Sequence, residues 1–269
     1  MGAVPHDAPP YEEPDPSARP YDADILQGLR LPPTARILDL GCGAGHLTAR
    51  LATLVPRGAV LGVDPDPDMV AAARLRHTDS RLSFQVGRCQ DVLALAGEQQ
   101  LDLVVSRATL HRVPAAEHPD VLAAVRRILR PGGIFRAEFG GAGQIAALQR
   151  ILDAESVALG GAAAPWFFPG PEDYRPLLLG AGFQVSPGGW VCLLHRRMPF
   201  RTETALVGWL RAEVLVAYAP GLPAVQAPRF RSRVEERALA ELRRPDGSFD
   251  QDFVRLDLSA TRPKAESLM

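Results

Sequence analysis

The chain has 269 residues, with 30 Lys and Arg against 31 Asp and Glu and a net charge of −1 at pH 7. That balance gives no electrostatic reason to expect nucleic acid or an anionic membrane as partner. With 46% hydrophobic residues the chain can fill one sizeable α/β core, and three scattered cysteines, Cys42, Cys89 and Cys192, form neither a disulfide framework nor a metal spacing. No apolar run is long enough to span a bilayer and no signal-peptide pattern is present, so the expectation is a soluble, cytoplasmic protein.

Residues 1–20, rich in Pro, Ala and acids with no apolar period, read as a mobile N-terminal arm. Residues 21–269 read as a single domain. Asp22 to Leu31 reads as a short helix stopped by Pro32-Pro33. Strands and helices then alternate: strand 36–40, helix 46–55, strand 59–63, helix 67–77, strand 82–86, a short helix near 91–96, strand 101–105, helix 118–130 and strand 133–138. The helix from 67 opens at Pro67 with Asp68 in its first turn, a good start signal. Alternation at this pitch predicts a mostly parallel sheet with helices on both faces.

Beyond the fifth strand the pattern changes. Gln144–Leu159 has helical periodicity, and the aromatic run Trp166-Phe167-Phe168 follows. Pro171–Ala181 reads as a helix ended by Gly182. Phe183–Val185 and Trp190–His195 read as one strand interrupted at Pro187-Gly188-Gly189. Residues 201–243 read as mostly helical with a break at Pro220–Pro228. Asp246-Gly247 marks a tight turn, and Phe253–Ser259 alternates as a final strand. Segments near 140–170 and 200–245 are expected as helical lid insertions over the carboxyl ends of the sheet.

The first strand carries the densest chemistry: Arg36-Ile37-Leu38-Asp39-Leu40-Gly41-Cys42-Gly43-Ala44-Gly45-His46. An apolar strand runs through an acid into a glycine-rich turn, and a helix follows at once. The glycines allow a sharp turn and close approach of a ligand, and the helix aims its N-terminus there. A dinucleotide site would read Gly-x-Gly-x-x-Gly, with a pyrophosphate over the helix start. Here the spacing is Gly41-x-Gly43-x-Gly45 with Asp39 just ahead, which suits a cationic, aminoacyl ligand better than a diphosphate. Asp64, at the end of the second strand, suits two ribose hydroxyls, a feature both cofactor classes share.

The spelling Asp-Leu-Gly-Cys-Gly-Ala-Gly resembles motif I of class I S-adenosylmethionine-dependent methyltransferases. Leu129-Arg130-Pro131-Gly132-Gly133 resembles their turn into the fifth strand. Ser106-Arg107-Ala108-Thr109-Leu110-His111, Ala137-Glu138-Phe139-Gly140-Gly141 and Pro165-Trp166-Phe167-Phe168-Pro169 with Glu172-Asp173-Tyr174 resemble segments of the trans-aconitate methyltransferase-like branch. The resemblance runs from about Asp22 to about Pro263. It implies a Rossmann-like fold with a seven-stranded sheet, last strand antiparallel, and S-adenosylmethionine as cofactor, released as S-adenosylhomocysteine. It implies transfer of a methyl group to a small-molecule acceptor, most simply at a carboxylate or hydroxyl oxygen.

On that resemblance the cofactor lies against the backbones of Gly41, Cys42, Gly43 and Gly45. Asp39 is near its amino group, Asp64 on its ribose, Pro65 and Met69 along its adenine, and Ser106 by its methionine part. The family's acid after the third strand, which meets the adenine, is replaced here in Gly87-Arg88-Cys89-Gln90-Asp91, so Asp91, Gln90 or the backbone beside Cys89 takes that contact. Arg107 and Arg112 stand where the branch commonly has Asn and Trp, and two cations there suggest an anionic acceptor. His111 is the base candidate, or orients a carboxylate that needs no base. Glu138, Trp166 and Phe167 are candidate acceptor contacts. Arg88 keeps open a second reading, a methyltransferase fold turned to cyclisation or isomerisation. A nicotinamide oxidoreductase is disfavoured by the glycine spacing and the Leu-Arg-Pro-Gly-Gly turn.

Overall fold

The computed structural model describes residues 25–97, 100–164, 166–185 and 188–264. The expected arm at 1–20, the start of the expected helix at Asp22, and Pro165 and Pro187 of the quoted motifs lie outside the described residues.

Seven strands form one sheet: β1 (Arg36–Leu40), β2 (Ala59–Asp64), β3 (Leu82–Val86), β4 (Leu101–Arg107), β5 (Leu129–Gly140), β6 (Trp190–Phe200) and β7 (Phe249–Thr261). Their order is β3-β2-β1-β4-β5-β7-β6. The pairs β1/β2, β1/β4, β2/β3 and β4/β5 are parallel, and β5/β7 is antiparallel. The chain steps outward from β1 to β3 and then returns to lay β4 on the other side of β1. That reversal parts the loops at the carboxyl ends of β1 and β4, where α/β folds bind ligands.

The sequence folds this way because its inner strands are apolar on both sides. Leu38, Leu40, Val104 and Phe135 join one buried cluster, and Ile37, Val60, Leu103 and Val105 join another. Helix α1 (His46–Leu54) packs Leu47, Leu51 and Ala52 into the second cluster. After α2 (Pro67–Arg76) and α3 (Val92–Ala96), helix α4 (His118–Ile128) packs Val121, Leu122, Val125 and Ile128 into the first. Ile25 packs into the second cluster with Leu29 and Leu31 against it. Two-sided burial of this kind is what parallel strands require.

Helices α5 (Ala146–Ala158), α6 (Pro171–Gly180), α7 (Glu203–Trp209) and α8 (Ala227–Glu241) complete the described set. Gly182 ends α6 with φ +82°, its N–H donating to Leu179 and that of Phe183 to Leu178, a left-handed helix stop. Several boundaries differ from the sequence reading. β5 begins at Leu129, because Leu129 pairs with Leu101 and a register shift before Leu103 absorbs the Pro-Gly-Gly irregularity. β6 continues to Phe200, and β7 starts at Phe249. Between α7 and α8 the break read at Pro220–Pro228 is present as short 3-10 turns, and it is preceded by a π turn at Leu210–Val214 and a 3-10 turn at Leu215–Ala217 where helix was expected.

The described residues divide into two compact units. One holds 25–142, 166–194 and 255–264. The other holds 143–164 and 195–254, so both β6 and β7 pass from one unit into the other. The second unit has its own polar frame: Arg233 and Arg237 pair with the buried Glu155, and the Tyr218 hydroxyl donates to Asp153 at 2.6 Å.

Candidate active site

The chain leaves β1 through Gly41, Cys42 and Gly43 before α1 begins at His46. Gly41, Gly43 and Gly45 take φ values of +82°, +52° and +84°, a region that costs other residues about 1 kcal/mol or more. A Cβ on Gly41 would lie 2.0 Å from the Thr109 hydroxyl, and one on Gly45 2.9 Å from the Phe84 ring. Gly43 differs: nothing lies within 4 Å of where its Cβ would be. Its backbone faces open space.

The loop is fastened to β2. The N–H groups of Gly41 and Cys42 donate to the Val63 carbonyl at 2.7 and 3.0 Å. Gly43 N–H donates to Asp64 Oδ2 at 2.8 Å, and Asp66 N–H to Asp64 Oδ1 at 3.0 Å. Asp64 is thereby oriented at the strand end, and each carboxylate oxygen keeps capacity for another donor. Asp39 is buried and accepts from the Thr48 hydroxyl at 2.7 Å. Burial pushes its carboxyl up to about 7 against that hydrogen bond, and the charge of Asp64 adds to the rise. The Cys42 thiol is also pushed up, by burial first and then by Asp39 and Asp64, so it stays a neutral thiol.

Past β3, the 3-10 turn Cys89–Asp91 leads into α3. Cys89 is buried and its thiol is pushed to about 12, chiefly by burial and then by Asp64. The Gln90 amide donates to the Glu117 carboxylate. The Arg88 guanidinium is solvent-exposed, 3.7 Å from Asp91 Oδ2, which also accepts the Arg88 N–H at 3.2 Å. Asp66 caps α2 through the N–H groups of Asp68 and Met69. Pro65 and Met69 are both exposed.

Past β4, the Ser106 hydroxyl donates to the Leu40 carbonyl at 2.8 Å and stitches β4 to β1. Ala108 takes a left-handed φ of +54°, and its N–H donates to the Glu138 carbonyl at 2.7 Å. His111 sits in the 3-10 turn Leu110–Arg112. Gly140 N–H donates to its Nδ1 at 3.4 Å, Phe167 N–H donates to its carbonyl at 3.0 Å, and its ring lies 5.6 Å from that of Phe168. Burial first, then the charges of Arg255 and Arg112, hold its pKa well below 6.5. The ring is therefore neutral, and with Nδ1 accepting, the proton belongs on Nε2.

Arg107 is half-buried and Arg112 exposed. Glu138 is fully buried with Arg255 Nε 3.6 Å from its Oε1. Trp166 stacks at 5.6 Å on Phe168. Phe167, half-buried, instead packs at 4.8 Å on His118 and 6.4 Å from Tyr174, against the buried cluster. It anchors the segment, and the neighbouring ring of Phe168 is the one beside His111, with Trp166 on Phe168.

A methyltransferase-domain family pattern matches residues 37–133, from β1 into the start of β5. Over 263 residues the chain is 33% identical to the trans-aconitate 2-methyltransferase of Deinococcus radiodurans, covering 92% of this chain and 95% of that one. The chain belongs to the class I S-adenosylmethionine-dependent methyltransferases, in the trans-aconitate methyltransferase-like branch. A Schizosaccharomyces pombe protein named as an uncharacterized methyltransferase is 34% identical over 171 residues, 61% of this chain and 64% of that one. The YcgJ protein of Bacillus subtilis has the same fold, with a TM-score of 0.61 at 14% identity over 91% of this chain and 98% of that one.

The methyl donor of this methyltransferase is S-adenosylmethionine. Sequence reasoning found the loop glycines and the acids at the ends of β1 and β2. It passed over Thr48 and Thr109, whose partners lie 9 and 68 residues away in the chain, and the pairing of Gln90 with Glu117 across 27 residues. It also passed over Arg255. Asp66, the cap of α2, was passed over too, although an acid directly before Pro67 is a signal that could have found it. Among the described residues of the methyltransferase no group of His, Cys, Asp and Glu could hold a metal, and no helix is long and apolar enough to cross a membrane.

Proposed function

We propose that this methyltransferase esterifies a small organic acid, moving a methyl group from S-adenosylmethionine to a carboxylate oxygen. The state of His111 carries the reading. Its Nδ1 is occupied by the Gly140 N–H, and its proton affinity is held well below the ordinary range. It can donate through Nε2 but is a poor proton acceptor at neutral pH. A hydroxyl acceptor needs a base, whereas a carboxylate, with an ordinary pKa of about 4, is already ionised. Arg107 and Arg112 add positive charge beside His111. The relatives named trans-aconitate 2-methyltransferase act, by that name, on a carboxylic acid.

The residues present fit the cofactor. The open Cβ position of Gly43 leaves room for close approach, with Gly41, Cys42 and Gly45 shaping the turn. Asp64 accepts from the ribose hydroxyls, and Asp39 compensates the amino group. Pro65, Met69 and the Cys89-Gln90-Asp91 turn border the adenine, and Ser106 borders the methionine part. Because the Arg88 guanidinium points to solvent, it does not oppose this placement. When bound, S-adenosylmethionine supplies an electrophilic methyl on a sulfonium with a good leaving group. The chain's task is then positioning: Arg107, Arg112 and His111 Nε2–H hold the acceptor's charge, and Trp166 beside Phe168 keeps water out. Neutral buried thiols at Cys42 and Cys89 suit work in the reducing cytoplasm.

The test is a mass-spectrometric screen with S-adenosylmethionine and a panel of trans-aconitate, other di- and tricarboxylates, phenols and amines. Base-labile methyl esters of the acids, with S-adenosylhomocysteine in equal amount, are expected. Methylation confined to phenols or amines, or to no compound, overturns the reading.

A further inference from the structure

Three tethers fix the His111 ring and its turn. Gly140 N–H donates to Nδ1 at 3.4 Å, and Phe167 N–H donates to the His111 carbonyl at 3.0 Å. Val113 N–H closes the 3-10 turn on the Leu110 carbonyl at 3.0 Å. The tethers come from three separate parts of the chain, yet one side chain stands behind all of them. His118, the first residue of α4, is fully buried. Its ring lies 4.8 Å from that of Phe167 and 6.4 Å from that of Phe139, the neighbour of Gly140. Its Nε2 lies 3.2 Å from the Val113 carbonyl.

The partners place the protons. The Val113 carbonyl can only accept, so His118 Nε2 carries the hydrogen. Burial holds the His118 pKa below its ordinary value, so the ring is neutral and Nδ1 accepts. The Tyr174 hydroxyl, 3.0 Å from Nδ1, is therefore the donor, and burial raises its pKa so that it keeps its proton. Tyr174 is fully buried on α6, and its ring packs edge-on at 5.4 Å against His118 and at 5.2 Å against Phe139. A buried imidazole and a buried phenol cost more to desolvate than leucine or phenylalanine would, unless each polar atom is paired. Both imidazole nitrogens and the phenol are paired here. What the pairing adds over apolar packing is direction: one tautomer, one ring plane and one position for the Val113 carbonyl.

We infer that His118 and Tyr174 are a positioning pair that acts through His111. They hold the Leu110–Arg112 turn and the Phe167–Phe168 segment so that His111 Nε2–H and the Phe168 ring meet the acceptor in a single geometry. The inference rests on the role given above to His111 as a donor to the acceptor, and names the buried groups that aim it.

Four variants test it. Tyr174→Phe removes only the hydroxyl. His118→Phe keeps the ring but strands the Val113 carbonyl and the Tyr174 hydroxyl. The double Phe variant removes both polar groups and is the folding control. His118→Gln is the rescue, since its amide N–H reaches about where Nε2 stood. The ring nitrogens of His111 are followed by NMR in 15N-histidine-labelled protein bound to S-adenosylhomocysteine, and assigned by their loss in His111→Asn. Calorimetry gives S-adenosylhomocysteine affinity, and kcat and KM are measured with trans-aconitate. Wild type is expected to show His111 as the single Nε2–H tautomer. Tyr174→Phe, His118→Phe and the double should shift those signals and lower kcat/KM by about tenfold or more. S-adenosylhomocysteine affinity should stay within about twofold of wild type. His118→Gln should recover most of the kcat/KM that His118→Phe loses. A double variant with wild-type His111 signals and wild-type kcat/KM would make the pair mere packing and overturn the inference. So would S-adenosylhomocysteine affinity that falls in step with kcat/KM, the mark of a generally loosened site. The parent reading fails separately: wild type forming no ester from any acid sinks it, while the His111 ring signals still test the pair.

Discussion

Asp39→Asn is expected to make the protein more stable and a poorer binder of its cofactor. The carboxyl is 1% exposed and its pKa is raised from 3.8 to about 7, burial being the main cause. Between those values the native state holds a proton that the unfolded chain has released, so this residue's contribution to stability falls as pH rises through the window. Above about 7 the full cost applies, roughly 4 kcal/mol at about 1.4 kcal/mol for each pH unit. The amide keeps an oxygen for the Thr48 hydroxyl but brings an N–H that needs its own partner, so about 2 kcal/mol should be recovered. At about pH 8 that corresponds to a rise in thermal midpoint of roughly 6 °C, shrinking toward zero by about pH 4. The cofactor's ammonium meanwhile loses an anionic partner, a loss of about 1.5–3 kcal/mol, or roughly 10- to 100-fold in Kd. Denaturation scans at both pH values and calorimetry with S-adenosylhomocysteine read the two effects. A variant less stable at the higher pH, or one that binds the cofactor with wild-type affinity, would refute the argument.

Gly41→Ala and Gly43→Ala should separate folding from binding. The first drives a Cβ to 2.0 Å from the Thr109 hydroxyl and should cost about 3 kcal/mol in urea denaturation. The second meets open space and should cost only about 1 kcal/mol of stability, yet lose cofactor binding in calorimetry, since its methyl occupies the approach. Because His111 is neutral well below 6.5, kcat/KM for the acid should stay flat from about pH 6.5 to 8, whereas a bell centred near pH 6.5 would restore a base. The same depression makes the unfolded chain bind more protons below 6.5, so His111 lowers stability as pH falls there, a slope His111→Asn should remove in pH-dependent melts. Asp257→Asn should lower stability by about 3–5 kcal/mol, because it strands the buried Arg136, with little change in KM.

The fold from β1 to β4 was readable because each element announces itself locally. Apolar strands end in acids or glycines, and helices open at Pro67 or right after Gly45. The limits were missed where tertiary pairing overrode local chemistry. Pro131-Gly132-Gly133 reads as a turn, yet Leu129 pairs with Leu101 and the strand starts before it. In residues 201–243 the break at Pro220–Pro228 was legible from its prolines, but the π turn at Leu210–Val214 and the 3-10 turn after it were not, because that stretch carries helical composition. In the site, the glycine loop was legible because three residues in a left-handed backbone favour glycine, two of them with no room for a Cβ. The Thr48 support of Asp39 was not, since the two meet only once α1 packs back on β1.

Arg255 is the more instructive omission. Arg255, Asp257 and Ser259 alternate with Leu256, Leu258 and Ala260, the pattern of a strand with one face in water. In the structure both faces of this stretch are buried. β7 lies between β5 and β6, so it has no edge, and its polar face lies on the sheet face that also carries Arg107 and Glu138. The same alternation recurs in β5 with Arg136 and Glu138 against Phe135, Ala137 and Phe139. Two strands of one sheet, each alternating a cation with an anion at a spacing of two, can match charges when they run antiparallel. Interior strands of an α/β sheet ordinarily keep such charges out, since each costs several kcal/mol to desolvate. Charge alternation in strands that the topology forces inside is therefore a marker of a built polar interior.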